Sequence, residues 1–169
     1  MSFSIKRAAA EDAAAISKIH ALSWKSAYKG IVPQKYLDGI KTDLWVGTFQ
    51  KWFAENVFQA DILYLDGTAI GCVTYGKSRD ERFADWGEIV SIYMHPDHYG
   101  KGYGKKLFAH ALDQLKSKGY KSCYLWVLAG NAPARRFYER NGFTWAGEEG
   151  EIEIGGEKLT DLRYVCSLT

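Results

Sequence analysis

Glycines at 100, 102 and 104 alternate with Lys101 and Tyr103 and run into Lys105 and Lys106. Residue types at this spacing bind anions. Glycines let the backbone approach a phosphate closely, and the unpaired N–H groups of a first helical turn point at it. The helix dipole adds partial positive charge there, and the lysines add full charges. Glu88 is a second candidate. A carboxylate in the apolar run Gly87–Met94, sharing a strand face with Val90 and Ile92 by period two, is unusual, and its acidity is open to tuning. An ion-paired rim glutamate is the alternative reading of the same residue.

These groups need positioning. The β-branched run up to Met94 reads as a strand, the glycines as a loop, and Tyr103, Leu107, Ala111 and Leu115, with Phe108 and Leu112, as the apolar face of a helix ending near Gly119. The phosphate loops of nucleotide-binding proteins fail on spacing. A Walker loop would need glycine at Tyr99 and Ser or Thr at Lys106, and a dinucleotide fingerprint would need its third glycine at Lys105.

Further strands are expected over Phe3–Arg7, Gln59–Leu65, Ala69–Gly76 and Trp86–Met94, with Asp66-Gly67 as a hairpin turn. Ser122–Leu128 reads as a continuously apolar inner strand, and a final hairpin spans Phe143–Ile154 and Glu157–Leu168 around Gly155-Gly156. Glu11 or Asp12 can cap a helix carrying Ala13, Ile16 and Ile19, which Gly30 and Pro33 interrupt. A second helix is expected over Thr42–Asn56, and a last one starts at Asn131, with Pro133 in its first turn and Gly142 at its left-handed end.

With 169 residues, 47% apolar and 15% aromatic, the chain suits a single folded domain over 1–169. A formal charge of +2 does not argue for nucleic acid or an acidic membrane. Cys72, Cys123 and Cys166 have no zinc spacing and read as buried thiols in a reducing compartment. The first residues lack the apolar core of a secretory signal, and no apolar run is long enough to span a bilayer, so a cytoplasmic protein is expected. His95 and His98 have no third ligand placed by the sequence, so no metal is expected and both read as turn residues.

The segment Gly87–Lys105 resembles motif A of the GCN5-related N-acetyltransferase (GNAT) superfamily, a strand and turn followed by Gln/Arg-x-x-Gly-x-Gly/Ala at a helix start. Gly102 and Gly104 match its last two fixed positions, and Tyr99 departs from the first. The run from Asn131 to Phe143 is similar to the superfamily's N-x-x-A-x-x-x-Y-x-x-x-G-F element, and the element order β-α-α-β-β-β-α-β-α-β-β agrees with it. The resemblance implies a mixed α/β (α+β) fold: a mostly antiparallel sheet of about seven strands, about four flanking helices, and a V-shaped splay between strands 4 and 5. Residues 20–40, with His20, Trp24, Tyr28, Pro33, Tyr36 and Leu37, are similar to a segment that covers the acceptor site in one bacterial branch.

The implied activity is transfer of an acetyl group from acetyl-CoA to an amine. The implied CoA contacts are Tyr99, Gly100, Lys101, Gly102, Tyr103, Gly104 and Lys105 around the diphosphate, with Asn131 and Ala134 near the pantetheine arm. The backbone of Ile92, Tyr93 and Met94 is expected to pair with that arm like an added strand, helped by a bulge near Tyr93. An alkylamine is almost wholly protonated at neutral pH, so a base is needed, and Glu88 has the spacing of the histone-type branch's base. Tyr138 matches the tyrosine that returns a proton to the leaving thiolate; otherwise it is a helix-face core residue. Trp24, Tyr28 and Tyr36 are core residues or the wall of an acceptor pocket.

No cysteine accompanies the loop, the asparagine or the tyrosine, which favours direct attack in a ternary complex over an acetyl-enzyme. A small primary amine, such as a polyamine or amino-acid derivative, is the expected acceptor. The alternatives are a non-catalytic acyl-CoA sensor and an acetyltransferase of protein N-termini or lysines. A homodimer through the last strands is compatible with the resemblance.

Overall fold

The computed structural model describes residues 1–169. Its strands are β1 (Phe3–Arg7), β2 (Gln59–Leu65), β3 (Thr68–Lys77), β4 (Gly87–Met94), β5 (Ser122–Leu128), β6 (Thr144–Ile154) and β7 (Glu157–Ser167). They form one sheet in the order β1-β2-β3-β4-β5-β7-β6. Every neighbouring pair is antiparallel except β4 and β5. The helices are α1 (Ala13–Ala27), α2 (Gln34–Asp38), α3 (Val46–Ala54), α4 (Tyr103–Ser117) and α5 (Ala132–Arg140).

The turn chemistry explains the hairpins. Asp66 and Gly67 both have positive φ, 48° and 82°, as do Gly155 and Gly156, and that backbone matches the twist of a two-residue hairpin. Asp12 does not cap α1 through its side chain. Its carboxylate accepts instead from the Ala9 N–H at 2.8 Å, closing a short turn before the helix. The helix expected over Thr42–Asn56 is shorter, because Trp45 gives its N–H to Ser17 Oγ at 3.0 Å and α3 starts only after it. Pro33 opens the additional short helix α2.

Strand register fixes which side chains share a face. Val73 and Tyr75 of β3, with Ile89, Ile92 and Met94 of β4, face α4 and pack on Leu107, Phe108, Ala111 and Leu115. Gly71 leaves room for Met94, whose sulfur would overlap any Cβ at that position. The opposite face carries Cys72 and Ile62 against Ile16 and Ile19 of α1 and Phe49 of α3. A third cluster joins Ala21, Val32, Leu37 and Ile40 to Leu128 and to Ile154 near the tip of the last hairpin. The α1–α2 segment is thereby held against that hairpin.

Two details of β4 differ from the sequence expectation. Tyr75 pairs with Ile89 and Thr74 with Ser91, so Val90 is the extra residue of a bulge, which lies earlier in the strand than Tyr93. A bulge shifts the alternation by one residue. Glu88 therefore shares its face with Ser91 and Tyr93, rather than with Val90 and Ile92.

Candidate active site

The glycine loop opens α4 as an array of free donors. Gly100 and Gly102 have φ of 73° and 84°, a conformation that glycine adopts without strain. The N–H groups of Gly100, Lys101, Gly102, Tyr103, Gly104 and Lys105 have no acceptor within the protein, and the first one bonded is that of Lys106, to the Gly102 carbonyl at 3.3 Å. Six successive donors at a helix start suit the diphosphate of a nucleotide-type ligand such as CoA. His98 Nδ1, buried without a partner, lies at the same end of the cavity.

The loop side chains divide. Lys105 faces the cavity, Lys101 gives Nζ to the Asp97 carbonyl at 3.1 Å, and Lys106 lies over the Phe3 ring at 4.4 Å. Tyr103 packs toward the core beside His98 and offers the loop its backbone only. Tyr99 contacts Ser23 Oγ at 3.1 Å through its hydroxyl, which ties the loop to α1. His98 is thus no plain surface turn residue, whereas His95 accepts from the Asp97 N–H within the turn.

From the loop a cavity of about 990 Å³ passes between β4 and β5. The two strands pair only at Gly87 with Cys123 and Glu88 with Tyr124. Beyond that point, Ile89–Met94 and Leu125–Leu128 line a fork with no ladder between them. The facing edges are unpaired backbone, the kind of surface to which an extended amide-bearing chain adds as a strand.

Tyr138 reaches the cavity from α5 and packs on Phe108, Phe137 and Phe143. Its hydroxyl makes no hydrogen bond to the protein, and burial, then the nearby Tyr28, push its pKa well above the ordinary phenol range. Such a phenol keeps its proton at neutral pH and can donate it. Asn131 caps α5 by accepting from the Ala134 N–H at 3.3 Å, and both residues line the cavity. The Asn131 cap follows from helix chemistry alone.

Glu88 is only 2% exposed and sits where β4 and β5 part. Arg79 donates to it from Nη2 at 2.6 Å and from its backbone N–H at 3.1 Å, and the Tyr124 hydroxyl donates at 2.9 Å. Glu88 does not line the main cavity, but its partner Arg79 does. Arg79 carries no motif and is visible only in the fold. Its loop is anchored by Arg163, which lies over Phe83, Tyr124 and Trp126 and reaches Asp80 at 2.7 Å.

Trp24 and Tyr28 line the front of the cavity, and the Tyr28 and Tyr93 hydroxyls meet at 3.1 Å. Tyr36 stands outside it, against Trp24 and under Gly155, where a Cβ would come within 2.8 Å of Tyr36. Behind Tyr93 lies His20, its ring 4.5 Å away, with Nδ1 3.0 Å from the Ile16 carbonyl. Burial brings the His20 pKa down to about 4. No group of three or more His, Cys, Asp or Glu side chains is placed to hold a metal ion. No helix is long and apolar enough to cross a membrane.

Comparison with known proteins agrees with this architecture. A family model described as "Acetyltransferase (GNAT) family" matches residues 18–143. The uncharacterised N-acetyltransferase YuaI of Bacillus subtilis is 27% identical over 94% of this chain and 89% of its own length. The spermidine N(1)-acetyltransferase of Thermoplasma acidophilum is 28% identical over 94% of this chain and 98% of its own. In structure, the PaiA N-acetyltransferase of Thermoplasma acidophilum, solved with coenzyme A, superposes with a TM-score of 0.81 at 22% identity, covering 99% of both chains.

Proposed function

The chain belongs to the acetyltransferase (GNAT) family, and on that premise we propose that it transfers the acetyl group of acetyl-CoA to a primary amine of a small molecule by direct attack in a ternary complex. The observation that carries this reading is the continuity of one cavity. Free donors from Gly100 to Lys105 stand at one end, the unpaired fork lies in the middle, and the free hydroxyl of Tyr138 opens on the same space.

In this reading the cosubstrate supplies the thioester, and the protein supplies everything else. The N–H groups of residues 100–105 hold the diphosphate, with Lys105 adding charge. The β4 edge at Ile92–Met94 pairs with the pantetheine amides, and Asn131 and Ala134 flank them at the start of α5. A backbone N–H on the β4 edge polarises the carbonyl. Glu88 takes the acceptor's proton through water, since Arg79 and Tyr124 already occupy much of its carboxylate. Tyr138 gives a proton to the leaving thiolate.

A small acceptor is favoured because α1–α2 and the last hairpin close over the front of the cavity through Leu128, Ile154 and Tyr36. The relative named for spermidine supports an amine. A screen of amines with acetyl-CoA, read as thiol release, tests the proposal. Release that requires a small primary amine is expected. Tight CoA binding with no release for any amine would instead make the protein a sensor.

A further inference from the structure

Asp161 lies on β7, its Cα paired with Leu128 of β5 on one side and Gly150 of β6 on the other, and it lines the front of the cavity. No other residue donates a hydrogen bond to it and no cation pairs with it; Oδ1 is buried with no partner. The chain does not treat its two fully buried carboxylates this way. Asp61 is met by Arg7, His110 and Tyr75, and Glu88 by Arg79 and Tyr124. Arg79, one of the two arginines that line the cavity, is committed to Glu88. A half-buried carboxylate that lines the cavity and has no partner in the protein is free to take a cation brought by a ligand. Partial burial also raises its pKa from the ordinary aspartate value.

The surroundings narrow the kind of cation. Gly150 makes the place for the carboxylate, since any Cβ there would collide with Oδ1 and come within 3.2 Å of the Trp126 ring. Trp126, Leu128, Ile152 and Ile154 line the same part of the cavity and offer methylene contacts but no charge. Glu88 stands level with Tyr124 and Asp161 with Leu128, four residues further along β5. At the rise of a strand that is about 13 Å between backbone levels. A short alkyl chain between two nitrogens, plus the reach of both side chains, spans such a gap, whereas the adjacent charges of an α-amino acid do not.

Resting on the acetyltransferase reading, we propose that Asp161 anchors a second, charged nitrogen of the acceptor, so that the enzyme selects diamines or polyamines over monoamines. One nitrogen lies at the fork near Tyr138 while the far ammonium binds Asp161 and its methylenes lie along Trp126 and the isoleucines.

The test compares diaminobutane with butylamine, equal in chain length, on the wild type and on Asp161→Asn. The wild type is expected to prefer diaminobutane. In the variant KM for diaminobutane should rise about tenfold or more, with kcat little changed and butylamine kinetics unaltered. Equal use of both amines by the wild type would overturn the proposal. So would a fall in kcat shared by both amines in the variant, which would make Asp161 part of the proton transfer. If CoA binds but neither amine turns over, calorimetry of diaminobutane against the CoA complex decides: binding lost in Asp161→Asn supports the anchor, and no binding to the wild type refutes it. Absence of both CoA binding and turnover would remove the underlying acetyltransferase reading itself.

Discussion

Two glycines allow the cradle to be tested apart from the fold. Gly102, before the first turn of α4, has φ of 84°, and Gly119, just past the end of the same helix, has φ of 93°. A Cβ at either position would meet nothing within 4 Å. Alanine at each site therefore suffers only the left-handed backbone, about 1–2 kcal/mol. For a chain of this size that lowers Tm by a few degrees in both variants. Only Gly102 lies among the free N–H groups and lines the cavity. Loss of one hydrogen bond to a charged phosphate, about 1.5–3 kcal/mol, should raise the Kd for CoA roughly ten- to a hundredfold. Calorimetry with CoA and thermal melts on Gly102→Ala and Gly119→Ala make the comparison. Equal CoA affinity in the two variants, at equal cost in Tm, would show that the loop is not the diphosphate site.

Tyr138→Phe should lower kcat about a hundredfold while leaving CoA affinity within about twofold, because the ring stays packed and only the proton donor goes; an unchanged kcat would return Tyr138 to the core. Glu88→Gln should lower kcat on a similar scale and alter the acid limb of the pH–rate profile, whereas a fall in Tm alone would mark the Arg79 pair as structural. His20 is held neutral in the fold with a pKa of about 4, against 6.5 ordinarily. Between those values the unfolded chain takes up a proton that the native state refuses, so stability falls as pH drops through that window, by on the order of 3 kcal/mol. Denaturant titrations across that range should show the slope in the wild type and not in His20→Asn.

What the sequence made legible was local. The hairpin at Asp66-Gly67, the cap at Asn131 and the glycine loop depend on neighbours within a few residues, and each stands where its chemistry puts it. The phase of β4 was not legible, because the bulge at Val90 arises from pairing with β3 and changes which residues accompany Glu88. Side-chain partnerships across the sheet were equally hidden. Nothing near Glu88 in the chain announces Tyr124, and nothing near Asp161 announces Gly150. Tyr36 had the composition of a pocket residue, yet it serves as a strut because Gly155 admits it under the hairpin.

The fork itself shows why a site can form in the middle of a sheet. Two inner strand edges left unpaired carry backbone N–H and C=O groups without partners, which costs free energy where they are buried and invites pairing with another chain. Here β4 keeps its pairing with β3 as far as Met94, and β5 pairs with β7 along its whole length from Ser122 to Leu128. Helix α4 covers one face of β4, while the α1–α2 segment packs against Leu128 at the end of β5. Each half-sheet is therefore secured from its outer side, and the gap between them can stay open to a ligand whose amides complete the interrupted ladder. In the proposed reading such a ligand would point its acyl end along the fork, between β4, which carries Glu88, and β5, whose outer neighbour β7 carries Asp161.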